Sequence, residues 1–392
     1  MPTVNRRNFL KASGVAVLPA ILPLTSIAAA EKEKDRSPAD ENVIKFFYDG
    51  EDYSPGMYIN ELQKINSKKP IEGDSYGSGG VVAAMEKKFE EITGKEKAIM
   101  MPTGTMSNQL AIAVLSGENT KVFVQDTSHV YRDEADAAQS VHEKRLMPLA
   151  MGETYFTAAQ LKEAIESLRR LEVFASGVGV VSIENPVRRN QGKMVPLEEI
   201  KRISDYCRSN NIKLHLDGAR LHIASAWSGV SIKEYSSYFD TVYISLYKYL
   251  GAAAGAVLCG DKPMIEKMPH LVKIHGGTLY NFWPGAAMVM SKLDGIESIL
   301  KNVRQRSVEV FAGLNQIPGV KIMAIEGGTN IYDVEFGTDI NTKQLQERLN
   351  KNFNIRIPGT NDKNRTRFTV NETLLYKDAA YVIDSFNKSL KG

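Results

Sequence analysis

Two side chains in this sequence have the types and settings that most directly point to chemistry, Lys248 and Asp217. Lys248 stands in Ser245-Leu-Tyr-Lys-Tyr-Leu-Gly-Ala-Ala-Ala-Gly255, just past the β-branched run Thr241-Val-Tyr-Ile244 and just ahead of small residues. Asp217 stands in His215-Leu-Asp-Gly-Ala-Arg220, at the end of another strand pattern. A lysine amine can form a Schiff base with an aldehyde. An aspartate can keep a pyridine nitrogen protonated, so that the ring accepts electrons from a carbanion. Together they make the layout needed to grip pyridoxal phosphate (PLP), and they point to an enzyme acting on small amino acids. The plainer readings are a solvated loop lysine and an aspartate that only caps the helix expected at Ala219–Trp227. Tyr247, Tyr249 and the small residues after Lys248 argue against free exposure, and burial would lower the amine's pKa.

Other motifs fit around this pair. Met101-Pro-Thr-Gly-Thr-Met-Ser-Asn108 lies between a strand and a helix pattern. Gly104 permits a tight turn, and the amides of Gly104 and Thr105 open the helix where an anion such as a phosphate binds, with the Thr103 and Thr105 hydroxyls assisting. The plainer reading is a helix cap by Thr103 or Thr105. His129, in Asp126-Thr-Ser-His-Val-Tyr-Arg-Asp-Glu134, could lie on the pyridine ring and move protons at the substrate. Arg220 offers a planar fork for an amino-acid carboxylate, and Arg365 and Arg367, ahead of the last strand, offer a second grip or plain surface charge. The other five histidines have no metal-ligand spacing, and no metal site is expected. There is no Walker loop, and a dinucleotide fingerprint on Gly77 and Gly79 would need glycine where Val82 stands.

The elements that must position these residues alternate. Strand patterns at Ala98–Met101, Lys121–Val124, Val178–Ile183, Ile212–Leu216, Thr241–Ser245 and Ala256–Cys259 are separated by helix patterns such as Val81–Thr93, Gly104–Leu115, Thr157–Arg170 and Pro196–Ser209. This predicts an α/β fold with a largely parallel sheet covered by helices. A long helical stretch near Gly285–Phe311 leads out of it. Strands near Val320–Met323, Ile331–Val334 and Phe368–Val370 follow, with helices at Thr342–Lys351 and Asp378–Ser389, and these read as a smaller α+β domain. The expected division is 71–300 for the large PLP-binding domain and 301–392 for the small one, with 42–70 joining the latter.

The ends and the composition narrow the function classes. Asn5-Arg6-Arg7-Asn8-Phe9-Leu10-Lys11 precedes an apolar run, and Ala28-Ala-Ala30 offers small residues for cleavage. Residues 1–30 therefore read as a twin-arginine export signal, and 31–41 as a solvated linker. A membrane anchor is disfavoured by the short run and by Pro19 and Pro23, so no span is expected in the mature form. The expected location is periplasmic or secreted. Arg6, Arg7 and Lys11 are the charged residues of that segment; 49 basic residues less these three leaves 46, against 46 acidic. The balance gives no reason to expect a nucleic-acid partner. Cys207 reads as a buried thiol on a helix face and Cys259 ends an apolar strand; a bridge between them stays open.

Read together, Asp74-Ser-Tyr-Gly77, Pro102-Thr-Gly-Thr-Met-Ser-Asn108, Ser128-His-Val-Tyr131, Leu216-Asp-Gly-Ala-Arg220 and Ser245-Leu-Tyr-Lys-Tyr-Leu-Gly251 resemble the threonine aldolase and β-eliminating lyase family of fold-type I PLP enzymes. The resemblance runs from about residue 44 to the end. It implies a mainly parallel seven-stranded sheet and a homodimer or homotetramer. It also implies Lys248 carrying PLP, Thr103, Gly104 and Thr105 at its phosphate, His129 on the ring, Asp217 at the pyridine nitrogen, and Arg220 with Arg367 at the substrate carboxylate. The chain departs from the family in three places. Tyr48 precedes Asp49 where the family has serine. Pro186-Val-Arg-Arg-Asn190 follows Glu184-Asn185 where a histidine is usual. Tyr280 stands roughly where an arginine helps hold phosphate. The implied reaction is aldol cleavage of a β-hydroxy-α-amino acid. Other PLP chemistry (β-elimination, racemisation, transamination) and an exported non-catalytic protein that kept the fold are the alternatives.

Overall fold

The computed structural model describes residues 42–391. The export signal and linker expected at 1–41 lie outside the described residues. From Asn42 onward the chain forms one compact unit.

Two residues of the N-terminal segment form β1 (Ile44–Lys45). The main sheet is built from β2 (Lys97–Met101), β3 (Lys121–Gln125), β4 (Arg145–Leu149), β5 (Val178–Glu184), β6 (Lys213–Asp217), β7 (Thr241–Ser245) and β8 (Ala256–Gly260). Their spatial order is β2-β8-β7-β6-β5-β3-β4, and only β8 runs antiparallel to its neighbours. This is the mainly parallel seven-stranded sheet that the resemblance implied. β3, β7 and β8 are buried along their whole length. Both faces are covered, which is why these strands read as apolar runs rather than alternating ones. Side chains of β7 show the two faces. Val242 and Ile244 join a core with Met85 and Phe89 of the helix Gly80–Thr93. Tyr243 points the other way, to Leu110 and Ala111 of the helix Gly104–Ser116.

Most expected elements lie within two residues of their observed bounds. β4 had no counterpart among the expected strands, because Pro148 interrupts its pattern. Proline removes a ladder donor and is tolerated at a sheet edge, which is where β4 lies. The single long helix expected near 285–311 is two helices, Trp283–Leu293 and Ile296–Leu314, broken at Asp294-Gly295. The helix after Asp217 starts at Leu221 rather than Ala219, with Arg220 at its N-cap. Cys207 and Cys259 are buried free thiols.

Toward the C-terminus, β9 (Val320–Ala324), β10 (Ile331–Phe336) and β12 (Arg365–Thr369) form an antiparallel sheet in the order β12-β10-β9. β1 pairs in parallel with β11 (Ile355–Arg356). This ties the N-terminal segment to the C-terminal region, and aromatic packing reinforces it. The Phe46 ring centroid lies 4.7 Å from that of Phe368 and 6.3 Å from that of Phe311. Asn371 then holds the segment by its side-chain amide, which donates to the carbonyls of Lys45, Phe47 and Tyr48 at 3.2, 2.9 and 3.3 Å. That grip delivers the next residue, Asp49, to the edge of the site.

Candidate active site

The carboxyl ends of the parallel strands open into a cleft of about 250 Å³. Ligands of open α/β sheets bind at this end, where successive crossovers leave a crevice. Lys248, three residues past the end of β7, is nearly buried here. Burial, and then the positive charge of Arg220, push its pKa down to about 8, against the opposing pull of Asp217, Asp49 and Glu184. A useful fraction of the amine is therefore unprotonated and nucleophilic near neutral pH. The amine lies 5.3 Å from the Tyr247 ring centroid.

Asp217 ends β6 and is 1 % exposed. Its Oδ1 accepts the Ala219 amide at 3.1 Å and its Oδ2 accepts the Asn108 side-chain amide at 3.0 Å. Both donors are neutral, and among the described residues no cation forms an ion pair with it. A buried carboxylate with only neutral partners favours a cation in the cleft, and a protonated pyridine nitrogen fits that need.

His129 opens the short helix His129–Arg132. Its main-chain amide donates to Glu184 Oε2 at 2.7 Å, and its Nδ1 shares a 2.9 Å hydrogen bond with Glu134 Oε1. Burial works to lower its pKa. The Glu134 hydrogen bond and the charges of Asp217, Glu134 and Glu184 outweigh it, and the net direction is upward.

Thr103 caps the helix Gly104–Ser116, its Oγ1 accepting the Met106 amide at 3.1 Å. The capping and the phosphate-binding readings of this motif thus share one turn. The first-turn amides of Gly104 and Thr105 have no partner within the helix and open on the cleft. A Cβ on Gly104 would stand 2.2 Å from the Tyr243 hydroxyl, so this backbone is pressed onto β7 and only glycine fits.

Arg220 lines the cleft, but its fork already has a partner. Nε and Nη2 donate to Asp49 Oδ1 and Oδ2 at 2.7 and 2.8 Å, and the Tyr249 hydroxyl adds a 3.1 Å bond to Oδ1. Although burial pushes the Asp49 carboxyl upward, Arg220 and Lys248 hold it below its ordinary range. Arg367 is not among the residues that line the cleft. It lies directly across from Asp333 in the β10–β12 pair and donates to it at 2.9 Å on an exposed face. Arg365 pairs likewise with Glu335 at 2.9 Å. Opposite charges facing across an antiparallel ladder satisfy each other. Tyr280 is also outside the cleft wall, edge-on to Tyr76 with centroids 5.2 Å apart.

Sequence reasoning did not single out Glu184, Glu134, Asn108, His215 or Tyr243 as site residues. Glu184 is the register partner of Asp217 across β5 and β6, so both carboxylates reach the same strand-end level. Glu184 was detectable in principle, because aligning the ends of those two expected strands sets the residues side by side. Asn108 and Glu134 close the two motifs already noted around Gly104 and His129. His215 lies two residues before Asp217 on the same face of β6.

The model of the beta-eliminating lyase family matches residues 60–337. The chain is 37% identical over 298 residues to a low-specificity L-threonine aldolase of Candida albicans, a match covering 72% of this chain and 79% of that one. It is 32% identical over 212 residues to an alanine racemase of Cochliobolus carbonum, covering 54% of this chain and 53% of that one. Among solved structures, a threonine aldolase of Leishmania major is similar with a TM-score of 0.67 at 17% identity, over 89% of this chain and 99% of that one. That last likeness is one of fold.

Proposed function

This chain belongs to the beta-eliminating lyase family of PLP-dependent enzymes, and we propose that it cleaves the Cα–Cβ bond of a β-hydroxy-α-amino acid to glycine and an aldehyde. The observation that carries this reading is the convergence, in one cleft, of Lys248, Asp217 and the His129–Glu134 pair. Lys248 would hold the cofactor's aldehyde carbon and Asp217 its pyridine nitrogen. The Gly104 and Thr105 amides would hold its phosphate, and His129 would face its ring. Bound there, PLP supplies the electron-accepting ring that stabilises negative charge left on Cα.

The remaining work falls to the chain's own groups. Arg220 would take the substrate carboxylate. Asp49 engages Nε and Nη2, fixing the guanidinium plane and leaving Nη1 as the part of the fork it does not engage. A carboxylate fixed this way limits rotation about the amino acid's Cα, which decides the bond that breaks. His129 would accept the proton of the β-hydroxyl. Glu134 occupies Nδ1, so Nε2 is the nitrogen available to receive it, and the carboxylate behind the ring stabilises the resulting charge. The segment Pro186-Val-Arg-Arg-Asn190 stands where the family usually has a histidine, and its Arg188 and Arg189 pair with Asp133, the residue that ends the helix His129–Arg132.

Racemisation is the second reading, favoured by the alanine racemase match, and it would use the same grip on the amine and carboxylate. The proposal also includes export by the twin-arginine route, supported by the Arg6-Arg7 segment, and assembly as a homodimer or homotetramer, supported by family membership. No helix among the described residues is long and apolar enough to cross a membrane. The test of activity is aldehyde release from L-threonine and from a β-aryl serine by the PLP-loaded protein. Stoichiometric glycine and aldehyde, absent with Lys248→Ala, is the expected result. Retained PLP without aldehyde from any hydroxy amino acid would turn the assignment to the racemase reading.

A further inference from the structure

We propose that Asn108 is a positioning residue that holds both acidic partners of the site, Asp217 and Glu134, in place from one side-chain amide. The inference rests on the PLP reading above and deepens it. Asn108 sits in the second turn of the helix Gly104–Ser116 and is fully buried. Its Nδ2 carries two hydrogens. One goes to Glu134 Oε1 at 2.7 Å and the other to Asp217 Oδ2 at 3.0 Å. Its Oδ1 is 2.9 Å from His215 Nε2, and His215 Nδ1 is 2.8 Å from the Thr241 hydroxyl.

This chain of bonds has one consistent direction. Burial pushes the His215 pKa down to about 4, so the ring is neutral and carries a single N–H. A neutral imidazole placed between a hydroxyl and an amide oxygen can donate only one way toward that oxygen, which has no hydrogen of its own. Nε2–H therefore donates to Asn108 Oδ1, and the Thr241 hydroxyl donates to Nδ1. With the oxygen of Asn108 pinned, its nitrogen must face the two carboxylates.

The need for such an amide follows from crowding. One donor atom each from His129, Glu134 and Asp217 lies within 4.8 Å of the others. Lys248, Glu184 and His129 also act on this group electrostatically. Two carboxylates this close repel, and burial raises the Glu134 pKa, a rise that the hydrogen bonds from His129 and Asn108 oppose. Asn108 supplies one hydrogen to each acid and so fixes Asp217 where the pyridine nitrogen would lie and Glu134 behind the His129 ring. The site's electron sink and its proton carrier are then tied through one side chain.

The test is Asn108→Leu, close in volume and without donors, in the PLP-loaded protein. The readouts are the pH titration of the bound cofactor's visible absorbance, and kcat and KM per bound PLP. The expected result is a shift of that titration by about one pH unit or more, with kcat per bound PLP at least about tenfold lower and KM for the amino acid changed less than about threefold. Thr241→Val removes the hydroxyl that orients His215 without touching Asn108, and should shift the titration the same way by a smaller amount; it carries the test if Asn108→Leu does not fold. An unshifted titration in the folded variant, or a loss of activity explained wholly by weaker PLP retention, would overturn the proposal. A wild type that binds PLP and releases no aldehyde would refute the aldolase assignment alone and leave the titration as the judge of Asn108.

Discussion

Glu184→Gln should take a pH dependence out of the stability of the unliganded protein. Glu184 is buried at the end of β5, with Asp217 beside it and two backbone amides, those of His129 and Arg188, as its donors. Burial first, and then the charge of Asp217, raise its pKa from 4.5 to about 7. A carboxyl whose folded pKa lies above its unfolded value binds its proton more tightly when folded. Its contribution to stability is therefore complete below the unfolded pKa, and is lost as pH rises from about 4.5 through about 7. At 1.36 kcal/mol per pH unit the full loss is about 3 kcal/mol. Glutamine does not ionise; its NH2 cannot accept one of the two backbone N–H groups, a cost that is the same at every pH. Urea unfolding of the apo-protein at a series of pH values, wild type against Glu184→Gln, measures the difference. The difference between them should move in the variant's favour by about 3 kcal/mol from pH 4.5 to above pH 7. A difference that stays constant across that range would refute the claim that this carboxylate is held ionised against its environment.

Three further outcomes follow from the geometry. Gly104→Ala sets a Cβ 2.2 Å from the Tyr243 hydroxyl, so the turn must shift; PLP affinity measured by equilibrium dialysis should fall at least about tenfold, and unchanged affinity would contradict the anion-binding role of this turn. Asp49→Asn leaves the Arg220 guanidinium without its counter-charge in a partly buried place; stability by urea titration should drop by about 2 kcal/mol, and KM for the amino acid should change, whereas a variant with wild-type stability and KM would argue against the pair as the holder of Arg220. Arg367→Ala removes an exposed pair with Asp333 and nothing in the cleft wall; steady-state kinetics should change less than about threefold, and a large rise in KM would restore Arg367 to the substrate grip that the sequence resemblance assigned it.

The chemistry that was legible in the sequence is the part set by local context. Asp217 ends one strand and Lys248 closely follows another, and strand ends at one edge of a parallel sheet meet by topology alone. Gly104 and His129 were legible for the same reason, each following a strand that is now seen to be β2 or β3. What was not legible depends on register and on contacts between distant segments. Asn108 and His215 are separated by 107 positions and meet only because the helix after β2 crosses over β6. Asp49 reaches Arg220 across 171 positions, carried there by the Asn371 grip on the N-terminal segment. Arg367 stood out only by closeness to a final strand, which says nothing about which residue faces it; the register sets it opposite Asp333. β4 escaped notice because Pro148 violates the strand pattern, a violation that an edge position allows.

The central claim is that this cleft directs one bond, Cα–Cβ, to break. One measurement tests it most directly: proton NMR of a β-hydroxy-α-amino acid incubated in deuterated water with the PLP-loaded protein, with Lys248→Ala as the blank. The account predicts glycine and aldehyde appearing in equal amounts, and nothing in the blank. Deuterium entering Cα of an otherwise intact substrate, or a keto acid appearing in place of glycine, would contradict it.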